Sequence, residues 1–258
     1  MSGLATALTF LAASFTQMAA GNWAGSFKKI LWLQLAGNFF NHFLPFNLGS
    51  ISLGANYYRK LGRKDAEALT IVAIPAVFGV LTSVVLLLIL SPVTIAHVLN
   101  SFHKTSHDRL LFIICGFLVA ISLAAIPGFR HKALRYTGEA KQAFNSVNSL
   151  KSYLTLALGS ICISLSATVA LFASVRSIHE SISLADAFVF YLTSSVVGDF
   201  VPTPGGVGGT EAVLALELTS IGIALPNAVA ATLIFRLITF WIPMIPGGYA
   251  AYRNSRLS

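Results

Sequence analysis

Apolar runs of membrane-crossing length alternate along the chain with short polar stretches that hold nearly all of its charge. Residues 4–20 make the first run, followed by Lys28 and Lys29. Residues 30–46 are apolar and aromatic, and they run into Asn41-His42-Phe43-Leu44-Pro45-Phe46-Asn47-Leu48-Gly49-Ser50. Residues 51–58 continue briefly and close on Arg59, Lys60, Arg63 and Lys64. A full span needs about 20 residues, so 30–58 is too short for two and predicts two shorter arms meeting at a Pro/Gly break. Residues 69–90 predict a span, 92–109 a loop, 110–126 a span, 127–151 a basic loop, 154–173 a span and 176–186 a polar loop. Residues 187–199 and 211–223 predict two more short arms, and 227–249 the last span. The pattern is that of an all-α polytopic membrane protein over residues 1–258, with about six full spans plus two Pro/Gly-broken hairpins.

Between the second pair of arms lies Asp199-Phe-Val-Pro202-Thr-Pro204-Gly205-Gly206-Val-Gly208-Gly209-Thr210-Glu211. It sets two prolines, four glycines and two acids inside very apolar sequence. Proline removes a helical hydrogen bond and glycine accepts dihedrals other residues avoid. At membrane depth such a break persists only where it is buried in protein or lines a wet cavity. The two breaks also resemble each other. Phe43-Leu-Pro45-Phe-Asn-Leu-Gly49 and Phe200-Val-Pro202-Thr-Pro-Gly-Gly206 share Pro-x-x-x-Gly, and each is followed by a short arm and a long span. Repeat 1 covers about 30–90 and repeat 2 about 187–250. Three crossings separate them, so the expected relation is an inverted repeat, the arrangement in which transporters place a site near the midplane.

Composition agrees: 55% of residues are hydrophobic and 10% charged, against about 25% charged in soluble domains. The net charge of +8 points to loops that orient helices rather than to nucleic acid. Thirteen of the 17 Lys/Arg fall in residues 28–29, 59–64, 130–151 and 253–256, which the parity of the hairpins puts on one side. The positive-inside rule makes that side, and the C-terminus, cytoplasmic. The first 27 residues carry no charge, so they lack the basic start of a signal peptide. They read as a span, and a chain starting this way is expected to begin further in than its relatives do. Cys115 and Cys162 lie in apolar runs and read as buried thiols.

Arg236 sits inside the last span, where a charge must be paired or hydrated. Asp199 and Glu211 are its expected partners, and an anionic group its expected ligand. A structural ion pair holding the hairpin to the last helix is the competing reading, and Glu217 is expected to face elsewhere. Gly205, Gly206, Gly208 and Gly209 are expected to expose backbone N–H groups, with Thr210 as the N-cap of the arm starting at Glu211. The competing reading is that these glycines only permit close helix packing. No P-loop lysine follows. In the first break His42, Asn41, Pro45, Asn47 and Gly49 are the polar or chain-breaking candidates. His103 and His107 have i, i+4 spacing in an outer loop, too little to predict a metal site. No cofactor, metal or catalytic residue is expected, and the nine acids contain no Asp-x-Asp pair.

The run Val201-Pro-Thr-Pro-Gly-Gly-Val-Gly-Gly-Thr-Glu211 followed by Leu233-Ile-Phe-Arg236-Leu-Ile-Thr-Phe-Trp241 resembles the lysylphosphatidylglycerol synthase transmembrane-region family. Pro202, Pro204, Gly205, Gly206, Gly208, Glu211, Arg236 and Trp241 match its pattern. The resemblance implies a flippase-like domain of the bacterial plasma membrane that handles anionic phospholipid or a lipid-linked headgroup. A homo-oligomer or a partner synthase is implied with it. The chain departs from the family after the first proline: Ser50 follows Gly49, and Leu53 stands where family members often carry arginine. With no soluble aminoacyl-transferase domain, this chain alone is not expected to make aminoacylated lipid. Two alternatives follow from the residues: an ion-coupled transporter of a small soluble solute, or an accessory membrane subunit of a lipid or glycan synthase.

Overall fold

A computed structural model describes residues 2–44, 47–103, 147, 149–201 and 203–255. Among these every regular element is helical: α1 (Ser2–Ala20), α2 (Phe27–Asn41), α3 (Leu48–Lys60), α4 (Asp65–His103), α5 (Leu150–Ser177), α6 (Leu184–Phe200), a 3₁₀ turn (Pro204–Gly206), α7 (Gly209–Ser220), α8 (Leu225–Arg236), a π segment (Leu237–Trp241) and α9 (Ile242–Ser255). Among the described residues four stretches are long and apolar enough to cross a membrane: Ser2–Ala20, Asp65–Ser83, Leu150–Ser177 and Leu225–Arg253. The protein is an all-α, multi-pass membrane protein. The expected span at 110–126, most of the basic loop at 127–151, and Lys104, His107, Arg109 and Arg256 lie outside the described residues, as does the side chain of His103.

Two arm pairs sit where the breaks were expected. The first is α2 and α3, with the long α4 following; the second is α6 and α7, followed by the continuous run α8–π–α9. One expectation fails. Residues 92–103, read as loop, continue α4. Pro92 does not end the helix, because a transmembrane helix can carry an interior proline when neighbours re-satisfy the freed carbonyl. At 1.5 Å per residue the 39 residues of α4 reach about 58 Å, well beyond a hydrocarbon core of about 30 Å.

The polarity of the fold is turned inside out relative to a soluble protein. Leu225, Val229, Leu233 and Leu237 recur every four residues and are exposed, as are Leu4, Leu8, Leu11 and Phe15 of α1. Ser14, Thr16, Ser160, Ser164, Ser166, Thr168 and Ser194 are buried. The hydroxyls of Ser14, Thr16, Thr168 and Ser194 reach carbonyls of their own helices, Ser14 that of Phe10 (2.7 Å) and Thr168 that of Ser164 (2.8 Å). Small residues let helices approach without an aqueous hydrophobic drive. Gly159 of α5 fits against Thr16 of α1, where a β-carbon would come within 2.3 Å of the Thr16 methyl. Two apolar cores result. One gathers Leu171, Val175, Leu214, Leu218, Ala228 and Phe235 around the second hairpin; the other gathers Ala19, Ala55, Tyr58, Ile71, Ile74 and Leu156 around the first.

Candidate functional site

The second break is a compact turn. α6 ends at Phe200, Val201 is extended, and Gly205 sits at φ +62°. Any larger residue there is strained, and its β-carbon would come within 2.3 Å of the Phe240 ring. The loop spends its own amides. Gly206 N–H donates to Thr203 O (3.1 Å), Val207 N–H to Pro204 O (3.3 Å) and Gly208 N–H to Glu211 Oε2 (2.7 Å). Gly206 and Gly208, two of the four glycine amides expected to face a ligand, are therefore committed to closing the turn. Thr210 is not the N-cap. α7 starts one residue before it, Gly208 takes the cap position, and the Glu211 carboxylate bonds back to the cap amide.

Glu211 also reaches forward. Its Oε1 accepts from Arg236 Nε at 2.5 Å, and Arg236 Nη2 donates to Gly205 O at 3.0 Å. The guanidinium lies 4.2 Å from the Phe240 ring centroid and is 8% exposed as a residue. One arginine thus ties the loop carbonyl, the start of α7 and the last helix together. Glu211 is the partner the structure describes. The side chain of Asp199 lies outside the described residues, as does Pro202.

The first break is held differently. The Asn41 carboxamide bridges the arms: its Nδ2 donates to Ser50 Oγ (2.8 Å) and its Oδ1 accepts from Ser50 N–H (3.0 Å). An N-terminal amide of α3 is thereby capped from the end of α2. Gly49 permits the approach, since a β-carbon would lie 2.5 Å from Phe40 Cβ and 2.8 Å from Asn41 Oδ1. Asn47 occupies the left-handed region at φ +55°, which asparagine tolerates. Pro45 lies outside the described residues. His42 faces two carbonyls: Nδ1 lies 2.7 Å from Asn38 O and Nε2 2.9 Å from Phe240 O. Its ring stacks on Phe240 at 3.9 Å. The Phe240 carbonyl lies in the π segment, whose widened turn releases carbonyls from the regular ladder. The Ile238 carbonyl of the same segment accepts from Thr6 Oγ1 at 3.5 Å.

Both breaks open onto one cavity of about 270 Å³. The first hairpin contributes Asn38, Asn41 and Asn47; the second contributes Ser194, Ser195, Gly198, Val201, Thr203, Gly205, Gly206 and Thr210. Arg236, Thr239 and Phe240 come from the last helix, with Thr6 and Thr9 from α1 and Ser166 from α5. Among the described lining residues Arg236 is the one charged side chain. Of the expected candidates, Asn41, Asn47, Gly205, Gly206, Thr210 and Arg236 line the cavity. His42, Gly49, Pro204, Gly208, Gly209 and Glu211 stand behind it as supports. The sequence reading missed Thr6, Thr9, Asn38, Ser194, Ser195 and Thr239. Their only signal was hydroxyl and amide side chains recurring on one face of otherwise apolar helices.

The donor and acceptor balance of the wall is uneven. Thr9, Ser194, Ser195, Thr203 and Thr239 each give their proton to a backbone carbonyl, at 3.1, 3.0, 3.0, 2.8 and 2.8 Å. Each is left with lone pairs to offer. On the donor side stand the Arg236 guanidinium and Asn38 Nδ2, which is buried and meets no acceptor among the described residues. The cavity suits a group that carries an anion on one side and hydrogen-bond donors on the other.

The family model for the lysylphosphatidylglycerol synthase TM region matches residues 3–247, and the chain belongs to that family. A UPF0104 membrane protein of Pyrococcus horikoshii is 32% identical over 81 residues, which is 31% of this chain and 24% of that protein. The match therefore spans about a quarter of the relative's length. No solved structure matches the chain at a significant level.

Proposed function

We propose that this member of the lysylphosphatidylglycerol synthase TM region family is a translocase that carries the headgroup of an anionic phospholipid, or of a lipid-linked intermediate, through the cavity between its two broken hairpins. The observation that carries the reading is Arg236: a buried cation on a cavity wall to which both breaks contribute. Glu211 pairs with it at rest, so the charge of the guanidinium is balanced by a carboxylate among the described residues. A phosphate entering the cavity would take up the guanidinium hydrogens that Glu211 and Gly205 leave over, while the acceptor-rich wall would receive hydroxyl or ammonium groups of the headgroup. The acyl chains would stay in the bilayer. The two arm pairs would act as an inverted repeat, alternating access to the site from either side. The bias of basic residues supports a cytoplasmic C-terminus in the bacterial plasma membrane.

The test is lipid sidedness in proteoliposomes. A fluorescent anionic phospholipid should cross faster with the wild type than in empty liposomes, and at the empty rate with Arg236→Ala. Saturable uptake of a water-soluble solute, with lipid sidedness unchanged, would favour the small-solute transporter. Neither activity in a folded protein would favour an accessory subunit.

A further inference from the structure

Glu217 has no part in the cavity. It sits on α7 two turns beyond Glu211, near the end of the arm that leads to the loop at 221–224. Its Oε1 meets Thr193 Oγ1 of α6 in a very short contact. Its Oε2 is shut off from solvent and meets no hydrogen-bond donor among the described residues. Thr193 has one proton to give, and its Oγ1 also lies 2.9 Å from Val189 O and 3.2 Å from Phe190 O. A helical threonine bonds back to these carbonyls by habit. If its proton is on the Val189 carbonyl, a Glu217 carboxylate would set lone pair against lone pair at Oε1 and leave a buried anion unserved at Oε2. A carboxylic acid resolves both: it donates from Oε1 to Thr193 Oγ1 and keeps Oε2 as a neutral carbonyl. The charged and titratable groups on the helices packed against α7 are Asp186, Tyr191 and Asp199 on α6 and Arg236 on α8. Arg236 is taken by Glu211, the other acid of α7. Asp186 is held by the Ser183 hydroxyl at the far end of α6.

We infer that Glu217 is a proton-binding site of the second hairpin: it holds a proton while α6 and α7 are packed as seen and releases it when the arms separate. The nearby exposed loop, with Ser220 and Ile221 one turn away, gives the proton its exit. For the coupling, the inference rests on the translocase reading. Each headgroup crossing then moves a proton, and a pH gradient supplies a driving force. The occupant assigned is a proton rather than a sodium ion, because a carboxylic acid accounts for both oxygens of Glu217, Oε2 meeting no hydrogen-bond donor among the described residues.

Two measurements test it. Infrared spectroscopy of the whole protein in lipid at neutral pH should show a protonated carboxylic carbonyl band that is lost in Glu217→Gln. Absence of that band in the wild type overturns the site, whatever the protein transports. A band that appears only when sodium is withdrawn overturns it in favour of sodium. In proteoliposomes carrying a lumenal pH dye, movement of a fluorescent anionic phospholipid should be accompanied by a pH change. Glu217→Gln, which keeps a donor to Thr193 and the neutral shape, should lose that change and the response to a pH gradient. A gradient response retained in Glu217→Gln overturns the coupling. A wild type that moves no lipid defeats the translocase reading and the coupling together, and the infrared band alone then decides the site.

Discussion

In the first break the arms are bridged by an uncharged carboxamide, Asn41 on Ser50; in the second a carboxylate, Glu211, holds the cap amide of its own arm and ties that arm to a buried arginine of the last helix. The geometry of the job is similar. In each hairpin a side chain satisfies an N-terminal amide of the returning arm, and a glycine lets chain segments meet closely. The chemistry differs in what happens when the site is occupied. Asn41 and Ser50 complete one another and have little reason to change. Glu211 and Arg236 are a pair that an incoming anion can compete for. The first hairpin therefore reads as the fixed wall and the second as the responsive one, with the last helix connected to both. Arg236 binds the second loop through Gly205 O, while His42 of the first break reaches the Phe240 carbonyl one turn further on.

Breaking the charged bridge should have the largest effect. Arg236→Ala leaves Glu211 as a poorly compensated carboxylate, and losing one partner of a buried pair costs about 3–5 kcal/mol. Thermal unfolding in detergent or nanodiscs should show it. The double variant Arg236→Gln with Glu211→Gln should recover much of that stability, because no charge is then left alone. Translocation should not recover, which separates the structural role of the pair from its role in the path.

The glycines should come next. Gly205→Ala imposes a left-handed backbone on alanine and drives a methyl group into Phe240; about 1–3 kcal/mol is expected, measurable as a lower unfolding midpoint. Gly49→Ala meets Phe40 and Asn41 without the backbone strain, so its loss should be the smaller of the two. A Gly49 variant less stable than the Gly205 variant would reverse the assignment of the tighter turn.

Removing the neutral bridge should cost less again. Asn41→Ala gives up a cap, worth about 1 kcal/mol and up to 2. Translocation should fall by less than it does for Arg236→Ala, and Ser50→Ala should add little in the double variant, since the two side chains form one unit. An Asn41 variant as inactive as the Arg236 variant would put the two hairpins on an equal footing.

The features that stood out in the sequence were those that violate the rule of an apolar span. Prolines and glycines at 202–209, and an arginine inside the last span, advertise themselves because each is costly in a lipid setting unless it serves a purpose. The partnership of Arg236 with Glu211 followed from the same reasoning. The cap of α7 was misplaced because a Thr-Glu pair offers two capping residues, and the carboxylate two positions into the helix won by reaching back to Gly208. The end of α4 was misplaced because residues 92–109 were read as a loop, whereas a membrane helix can continue through a proline such as Pro92. The hydroxyl wall went unread for another reason. Thr9, Ser194, Ser195 and Thr239 satisfy themselves on their own helices, so they cost little in an apolar span and leave no mark on hydropathy. Only the folded arrangement shows that they face one space.

The most direct test of the account is the rate at which a fluorescent anionic phospholipid crosses proteoliposome membranes containing the Arg236→Gln, Glu211→Gln double variant, after its fold and unfolding midpoint have been matched to the wild type. The account predicts the rate of empty liposomes, because the uncharged pair can hold the hairpin but cannot take a phosphate. A rate equal to the wild type would contradict it, and would leave the Arg236–Glu211 pair as a brace of the fold outside the path of the substrate.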